Sequence, residues 1–256
     1  MTSFVPPVRA RRRTAALAVV LCAGLTAGLT ACAGEDPDEG TNGIGRLDAP
    51  EIEKKARTAA DSSDMVRLAG TLVSKGGTYR LDMRLKDKGG AGSVTSGKST
   101  FELLRIGDVL YLKAGAGFWN HDTKGAGGTS DADGAAADKL DDKYVKVPED
   151  DPTYKQLRGF TDKKVLLGGL LTLHGEVGKG DRDKVGGVRT IRITGGEGEG
   201  GALDVSLEGK PYPLRFARGG GGGTVTLADW GKDFALKAPA EGDTVDYGRQ
   251  LPKSSS

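Results

Sequence analysis

The sequence predicts an α+β protein whose main element is an antiparallel sheet. Residues 79–86 indicate this most clearly, because apolar side chains alternate with charged or polar ones along them: Tyr79, Leu81, Met83 and Leu85. A period of two is typical of a strand that is buried on one face only. The 42 glycines supply turns between further short strands, and a few stretches with helical spacing complete the α+β pattern.

The N-terminal 31 residues have the composition of an export signal. Four arginines precede an uncharged run over residues 15–31, and no acidic residue occurs before position 32. A basic segment, an apolar segment and then small residues follow one another in such signals. An uncleaved membrane anchor is the alternative, but the run has about 17 residues where a spanning helix needs about 20. The paired arginines leave the export route, general or twin-arginine, open.

The signal ends in Leu29-Thr30-Ala31-Cys32, which has the residue order of a lipobox. We predict cleavage before Cys32, whose thiol would carry a diacylglyceryl group with fatty acids such as palmitate. The mature protein would then be extracytoplasmic and anchored to the cell membrane by lipid. Behind Cys32 the sequence predicts three parts: a flexible linker to residue 47, a single domain over 48–240 and a polar tail over 241–256.

Removal of the signal changes the charge of the chain. Lys+Arg falls from 37 to 33 against 35 Asp+Glu, so the net charge moves from +2 to −2. The basic balance therefore belongs to the signal, and we expect no nucleic-acid partner. Cys22 leaves with the signal, and Cys32 is then the only cysteine, which excludes an intramolecular disulfide and a cysteine metal cluster.

The first half of the domain reads as one helix followed by strands. Asp48 and Pro50 begin a short helix with small apolar residues on one face. Alternation then starts at Met65, and a glycine-rich turn after residue 86 leads to a strand over 98–106. Gly107-Asp108 is a two-residue turn into a strand over 109–113, which predicts a hairpin.

Residues 114–142 interrupt the pattern with Phe118-Trp119 and a Gly/Ala/Asp/Ser stretch, and we predict a long mobile loop there. A short strand over 144–147 follows. Asp151-Pro152 then begins one helix, and a second helix runs from about Asp162 with leucines nearly all round. Such a helix is expected to be buried or to face an apolar surface. Five short strands separated by turns complete the domain: 188–193, 203–207, 213–216, 224–227 and 234–237.

Several motifs match a functional pattern without its structural context. Residues 92–99 fit the phosphate-loop spacing G-x-x-x-x-G-K-S, but a strand, not a helix, is predicted to follow. Gly196, Gly198 and Gly201 fit a dinucleotide pattern, but two glutamates would repel a pyrophosphate. Residues 131–134 resemble part of a calcium loop that lacks the closing glutamate. A turn is the better interpretation of the first two, and a solvated loop of the third.

The sequence also lacks the residues of a recognisable catalytic site. His121 and His174 are the only histidines, and neither has a partner at metal-ligand or triad spacing. No G-x-S-x-G nucleophile motif occurs. We therefore expect no catalytic residues, no metal and no cofactor.

The order of elements resembles actinobacterial lipoproteins of the LppX/LprA/LprF/LprG type, which have a LolA-like fold. The resemblance covers nearly all of the mature chain and lies in five stretches: 101–113, Phe118-Trp119, 144–148, 187–190 and 209–215. It implies a strongly curved antiparallel sheet, or half-open barrel, with helices on its concave side. It further implies that lipid acyl chains can lie between sheet and helices. The long insertion and the low aromatic content depart from that family.

These observations favour a membrane-anchored lipoprotein that binds, and could carry, a lipid, a glycolipid or another apolar ligand. The residues expected to line its cavity are Leu68, Leu72, Leu81, Met83, Leu85, Phe101, Leu103, Leu166 and Leu170. Each could equally be an ordinary core residue. The alternative is a structural lipoprotein that presents a surface to an envelope protein, with exposed apolar residues around Phe118. An enzyme would need a pocket converging on His174 or on carboxylates.

Overall fold

The computed structural model describes residues 36–74, 77–119 and 131–246, and the residues from Pro37 onward form one unit. Five α-helices are present in this part of the chain: α1 (Ala49–Asp61), α2 (Ala116–Trp119), α3 (Asp131–Leu140), α4 (Pro152–Thr161) and α5 (Lys163–Leu170). The first six strands are β1 (Met65–Ser74), β2 (Gly77–Lys86), β3 (Gly89–Ser96), β4 (Ser99–Ile106), β5 (Val109–Ala114) and β6 (Lys143–Val147). The last six are β7 (Val177–Val185), β8 (Val188–Gly195), β9 (Ala202–Ser206), β10 (Pro213–Ala217), β11 (Gly223–Ala228) and β12 (Thr244–Asp246).

The strands form one curved, unclosed sheet of 12 strands with helices on its concave side, which confirms the predicted fold class. Their order across the sheet is β12-β6-β5-β4-β3-β2-β1-β11-β10-β9-β8-β7. Most neighbours are hairpin partners, and the pairing of β1 with β11 joins the two halves of the chain. Only β12 and β6 run parallel among the pairs of the described residues.

Alternation along β2 sets the two faces of the sheet. Leu81, Met83 and Leu85 are buried on the concave face, while their neighbours in sequence are exposed on the outer face. The pattern that the sequence predicted for this strand is therefore confirmed. Leu103 on β4 continues the same concave layer, in register opposite Gly92 of β3.

Strand β3 lies where the sequence predicted only a glycine-rich turn. Its glycines are needed for close packing: a Cβ on Gly90 would lie 3.0 Å from the carbonyl oxygen of Thr161 at the end of α4, and one on Gly92 only 2.1 Å from the carbonyl oxygen of Asp82. A side chain at either position would push a neighbouring backbone away from the strand. Glycine here permits close packing and does not interrupt the sheet.

Three aspartates begin the main helices. Asp48 caps α1 through the amide of Glu51 at 2.8 Å, Asp151 caps α4 and Asp162 caps α5. Each carboxylate accepts a hydrogen bond from an amide that has no partner within the helix. The helix starts predicted at Asp48 and Asp151 are confirmed. Helix α1 packs against β7, β8 and β10, whereas α4 packs against β2, β3 and β4.

Strand β7 was missed by the sequence analysis because its residues are almost all polar. It is an edge strand, and its side chains are exposed or half-buried along its whole length. An edge strand with one partner and little buried surface needs no apolar alternation. Its charged residues instead bind the stretch that precedes α1.

The N-terminal stretch before α1 is not a free linker as far as residue 47, so that boundary was wrong. Residues 44–46 form a 3-10 turn, Ile44 is buried, and Asn42 donates its backbone N–H to the carbonyl of Leu207 at 2.8 Å. Its glycines and acids suggested a spacer, but Gly40 and Gly43 make turns and Asp38 forms an ion pair with Arg182 of β7. Of the predicted linker, residues 32–35 lie outside the described residues.

The stretch from Gly231 to Ala240 is not a strand, so the prediction for 234–237 was wrong. Its residues Ala235, Leu236 and Lys237 lie on the outer face of the sheet, and a Cβ on Gly89 of β3 would lie 2.9 Å from Leu236 Cδ1. Phe234 and Leu236 are half-buried on that face while their neighbours are exposed, which produces the same period of two. Residues 244–246 then pair with β6 and belong to the domain, not to a polar tail.

Residues 114–142 are less irregular than predicted. Helices α2 and α3 lie at the two ends of this region, and Ala137 and Leu140 of α3 are buried in the core. The calcium-like residues 131–134 are part of α3 and not of a loop. Residues 120–130, including His121, lie outside the described residues.

Candidate functional site

The structure brings the nine predicted lining residues together on or against the concave face. Eight of them are buried in a single core, and Leu166 is half-buried against it. The eight are Leu68, Leu72, Leu81, Met83, Leu85, Phe101, Leu103 and Leu170. Their proximity makes this face the candidate site. Whether a ligand occupies it stays a prediction, because core packing alone also buries such residues.

Aromatic side chains surround one end of this apolar layer. The rings of Tyr79 and Phe160 lie 5.9 Å apart, and those of Phe101 and Phe118 lie 5.5 Å apart. These pairs link the β1–β2 end of the sheet to α4 and link β4 to α2. Phe118 is half-buried and Trp119 is buried, with its indole N–H donated to the carbonyl of Ala114. The exposed apolar surface expected around them in the alternative interpretation is thus largely covered.

Helix α5 covers part of the concave layer and is less buried than predicted. Leu167 and Leu170 face the core, but Val165 is 62% exposed and Gly168 and Gly169 are exposed. The helix is therefore one-sided, because two of its outward positions are glycine. The apolar residues that follow, Leu171 and Leu173, are buried beyond the end of the helix.

Lys163 fixes the first turn of α5. It is 1% exposed, its ammonium donates to the carbonyl oxygen of Ser63, and it pairs with Asp87 at 2.8 Å. One side chain thus joins α5 to the end of α1 and to the β2–β3 turn. A buried lysine is tolerated only where its charge has such partners. Sequence reasoning missed this role, since a lysine in a first helical turn is usually solvated.

Arg105 fixes the neighbouring end of α4 from the concave face. Its guanidinium donates to the carbonyl oxygen of Thr161 at 2.9 Å, to the hydroxyl of the same residue at 3.1 Å and to the carbonyl of Gly107 at 2.6 Å. Burial lowers the pKa of Arg105 from its ordinary value. A cation at the C-terminus of a helix is favoured by the helix dipole. The junction between α4 and α5 is therefore held by two buried cations.

The two glycines of α5 lower the stability of this helix at positions where a larger residue would fit. A Cβ on Gly168 or Gly169 would meet nothing within 4 Å, so alanine fits without a clash. We expect the double change Gly168→Ala, Gly169→Ala to stabilise the domain by about 1–2 kcal/mol, because alanine loses less backbone entropy in a helix. Thermal unfolding checks this, and an unchanged or lower Tm would contradict the packing of α5 described above.

A groove of about 680 Å³ lies on the opposite, outer face of the sheet. The stretch at Leu236 borders it with Tyr144, Glu102 and Arg84, together with the Arg67–Asp82 ion pair at 2.8 Å. The hydrogen bond from Arg67 lowers the pKa of Asp82 from its ordinary value. Leu103 also borders this groove, but the other eight predicted lining residues do not. Its walls combine charged residues such as Arg84 and Glu102 with apolar ones such as Leu104 and Leu236, whereas the concave layer is apolar.

A second ion-pair network lies on β8–β10. The carboxylate of Asp204 is buried and accepts hydrogen bonds from Arg192 at 2.8 Å and from Arg215 at 2.5 Å. The hydrogen bonds to Asp204 raise the pKa of both arginines. Two arginines on neighbouring strands thus share one buried carboxylate, and the network stabilises this part of the sheet.

The motifs set aside by the sequence analysis fall in structural elements. Residues 92–99 span the β3–β4 hairpin, and residues 196–198 form a 3-10 turn after β8, as predicted. His174 is exposed. Within residues 36–74, 77–119 and 131–246, no group of three or more His, Cys, Asp or Glu is placed to hold a metal ion.

Cys32 and the predicted signal lie outside the described residues, so the lipobox prediction stays a prediction. None of the helices in the described ranges combines the length and the apolarity that crossing a membrane requires.

No protein-family model and none of the curated proteins matches the chain. Among solved structures, LprF from Mycobacterium bovis is 16% identical, with a TM-score of 0.50, and the match covers 75% of this chain and 97% of LprF. The lipoprotein LppX from Mycobacterium tuberculosis is 13% identical, with a TM-score of 0.44, over 73% of this chain and 99% of LppX. The likeness to LprF confirms the resemblance as one of fold: the chain has the LppX/LprF-type lipoprotein fold.

Proposed function

We propose that this chain is an exported lipoprotein, anchored by acylated Cys32, which binds a lipid or another apolar ligand between its curved sheet and α5. The observation that carries the proposal is the apolar concave layer beneath a short helix that contains two unpacked glycines. Movement of α5 away from the layer would expose Leu167 and Leu170, and the contacts of Lys163 hold only its first turn. The ligand would enter past α5, on which Val165 is exposed.

The chemistry of the layer suits an acyl chain. Burial of each CH₂ contributes about 0.8 kcal/mol, so a ligand with two chains binds without a precise polar contact. The concave layer supplies leucine, methionine and phenylalanine side chains and no carboxylate. The fold shared with LprF supports the proposal, because LprF is a mycobacterial lipoprotein.

Two exposed valines provide a matched test of the entrance. Val165 lies on α5, whereas Val109 lies at the β4–β5 turn and is 37% exposed. We expect Val165→Glu to weaken binding of a fluorescent long-chain fatty acid by about tenfold, because a charge at the entrance must be desolvated or displaced. Val109→Glu should bind like the wild type. Equal affinity in both variants would contradict entry past α5.

A structural lipoprotein without a ligand is the second candidate. It is favoured by the near-complete burial of the eight lining residues, which is also what a filled core shows. The two functions differ in one result: a filled core takes up no fatty acid at any concentration below its micelle threshold. Saturable binding by the wild type would exclude the structural function as the sole role.

A further inference from the structure

The stretch before α1 is fixed to the β7–β9 edge from Asp38 onward. Arg182 pairs with Asp38 at 2.6 Å, and Arg189 donates to the backbone carbonyls of Glu39 at 3.1 Å and Gly40 at 2.8 Å. Lys179 reaches the carbonyl of Gly45 at 2.9 Å. The chain therefore leaves the domain surface at a defined place.

The distance from this place to the acylated cysteine is short. Six peptide units separate Cys32 from Asp38, and a fully extended chain spans at most about 3.6 Å per residue. If Cys32 is acylated as proposed, the anchor holds Asp38 within about 20 Å of the lipid headgroups. The surface next to Asp38 is thus kept close to the bilayer.

Two adjoining grooves lie on that surface. One, of about 440 Å³, runs along α1 and the loop between β9 and β10, and the other, of about 390 Å³, lies between the same loop and the stretch before α1. Lys55 and Pro211 border both grooves. The hydrogen bonds from Asn42 to the carbonyls of Ser206 and Gly209 hold the loop against that stretch.

The grooves are lined by lysines whose charge is not balanced. Lys54, Lys55 and Lys210 border them against the single carboxylate of Glu51, and none of the three forms an ion pair within the described part of the chain. Two of the acids nearby are already engaged: Asp38 pairs with Arg182 and Glu208 pairs with Arg189. The Arg189 hydrogen bonds, first that of its backbone N–H, lower the pKa of Glu208. By contrast, the lysines that form ion pairs in the described part of the chain, such as Lys113, each face an aspartate.

We propose that this lysine-lined surface docks on an anionic lipid bilayer, with headgroup phosphates bound by Lys54, Lys55 and Lys210. The inference rests on the proposed lipid anchor, which brings the surface within reach of the membrane. Clustered lysines next to an anchor gain affinity for anionic lipid, about fivefold for each lysine, and lose it as salt increases. Docking gives the tethered domain one orientation on the membrane.

The test uses the mature lipoprotein reconstituted into vesicles of phosphatidylcholine alone or with about one third phosphatidylglycerol. Intact mass first establishes whether Cys32 is acylated, and an unacylated protein would overturn both the anchor and the docking. Lysine reactivity toward a water-soluble acetylating reagent is then measured for each residue. We expect Lys54, Lys55 and Lys210 to react several-fold more slowly in anionic vesicles at low salt only, while Lys88, Lys98 and Lys155 are unchanged.

Two triple variants distinguish docking through these three lysines from a general effect of positive charge. On anionic vesicles we expect the backbone amides of residues 207–212 to exchange hydrogen more slowly than on neutral ones. K54Q/K55Q/K210Q should abolish this slowing, whereas K88Q/K98Q/K155Q removes the same charge elsewhere and should preserve it. An acylated protein whose grooves react equally in both vesicle types would overturn the docking and leave the anchor standing. Equal loss in both triple variants would also overturn it, since any lysines would then suffice.

Discussion

Replacement of Cys32 by serine is expected to remove the protein from the lipid-anchored membrane fraction. Serine offers no thiol for the diacylglyceryl group, so the variant should be released to the medium or remain as an uncleaved precursor. Because a single acyl chain binds a membrane only marginally and two or more anchor it stably, the change in partition should be close to complete. Metabolic labelling with a fatty acid and fractionation of the cells measure it.

The second cysteine provides the control for this variant. Cys22 lies within the predicted signal and is removed with it, so Cys22→Ser should be processed and labelled like the wild type. Continued labelling of the Cys32→Ser protein would show that another residue carries the lipid. The lipobox assignment would then be wrong.

Truncation of Lys163 to alanine is expected to destabilise the domain by about 4 kcal/mol. The substitution removes buried methylenes and leaves the carbonyl of Ser63 without its donor, and each of these effects costs about 1–3 kcal/mol. Because Lys163 joins α5 to α1 and to the β2–β3 turn, we also expect faster release of a bound fatty acid. Denaturant unfolding and stopped-flow release measure the two effects.

Two further substitutions distinguish the roles of the Lys163 side chain. Lys163→Met keeps most of the packing and should cost only about 1–2 kcal/mol, which is the cost of the unpaired carbonyl. Lys164→Ala changes an exposed lysine in the same turn and should stay within about 0.5 kcal/mol of the wild type. A similar loss in Lys163→Ala and Lys164→Ala would contradict the contacts assigned to Lys163.

The sequence was most informative where one local interaction decides the structure. Alternation of Leu81, Met83 and Leu85 predicts a one-faced strand, and the aspartate before Pro50 predicts a helix start, because each signal depends on neighbours in sequence. The resemblance added the curvature of the sheet and the side on which the helices lie. Neither property follows from periodicity alone.

The wrong or missing predictions concern segments whose structure depends on partners far away in the sequence. The polar residues of β7 form a strand because β8 supplies their hydrogen-bond partners. Burial around Leu236 alternates as in a strand because this stretch lies on the outer face of the sheet without pairing to it. The acidic stretch at Asp38 is ordered by Arg182, which lies far along the chain. Burial of Lys163 likewise depends on Asp87 and Ser63, and none of these pairings leaves a pattern in the sequence.

The candidate site was predicted as a group of residues more successfully than as a cavity. Hydrophobic alternation identifies the side chains that share the concave face, because they must all be buried. It does not distinguish a layer that is always covered by α5 from one that an acyl chain covers when α5 moves away. Both arrangements bury the same leucines. That difference lies in the weak helix and its glycines, Gly168 and Gly169.

Native mass spectrometry of the exported domain tests the central proposal most directly. The chain is secreted behind a signal without a lipobox, purified without detergent and examined intact, and its bound lipids are then extracted and identified. We predict one equivalent of a non-covalent lipid, displaced by an added long-chain fatty acid. A folded domain that carries no lipid, and that takes up none when fatty acid is added, would contradict the proposed lipid-binding function.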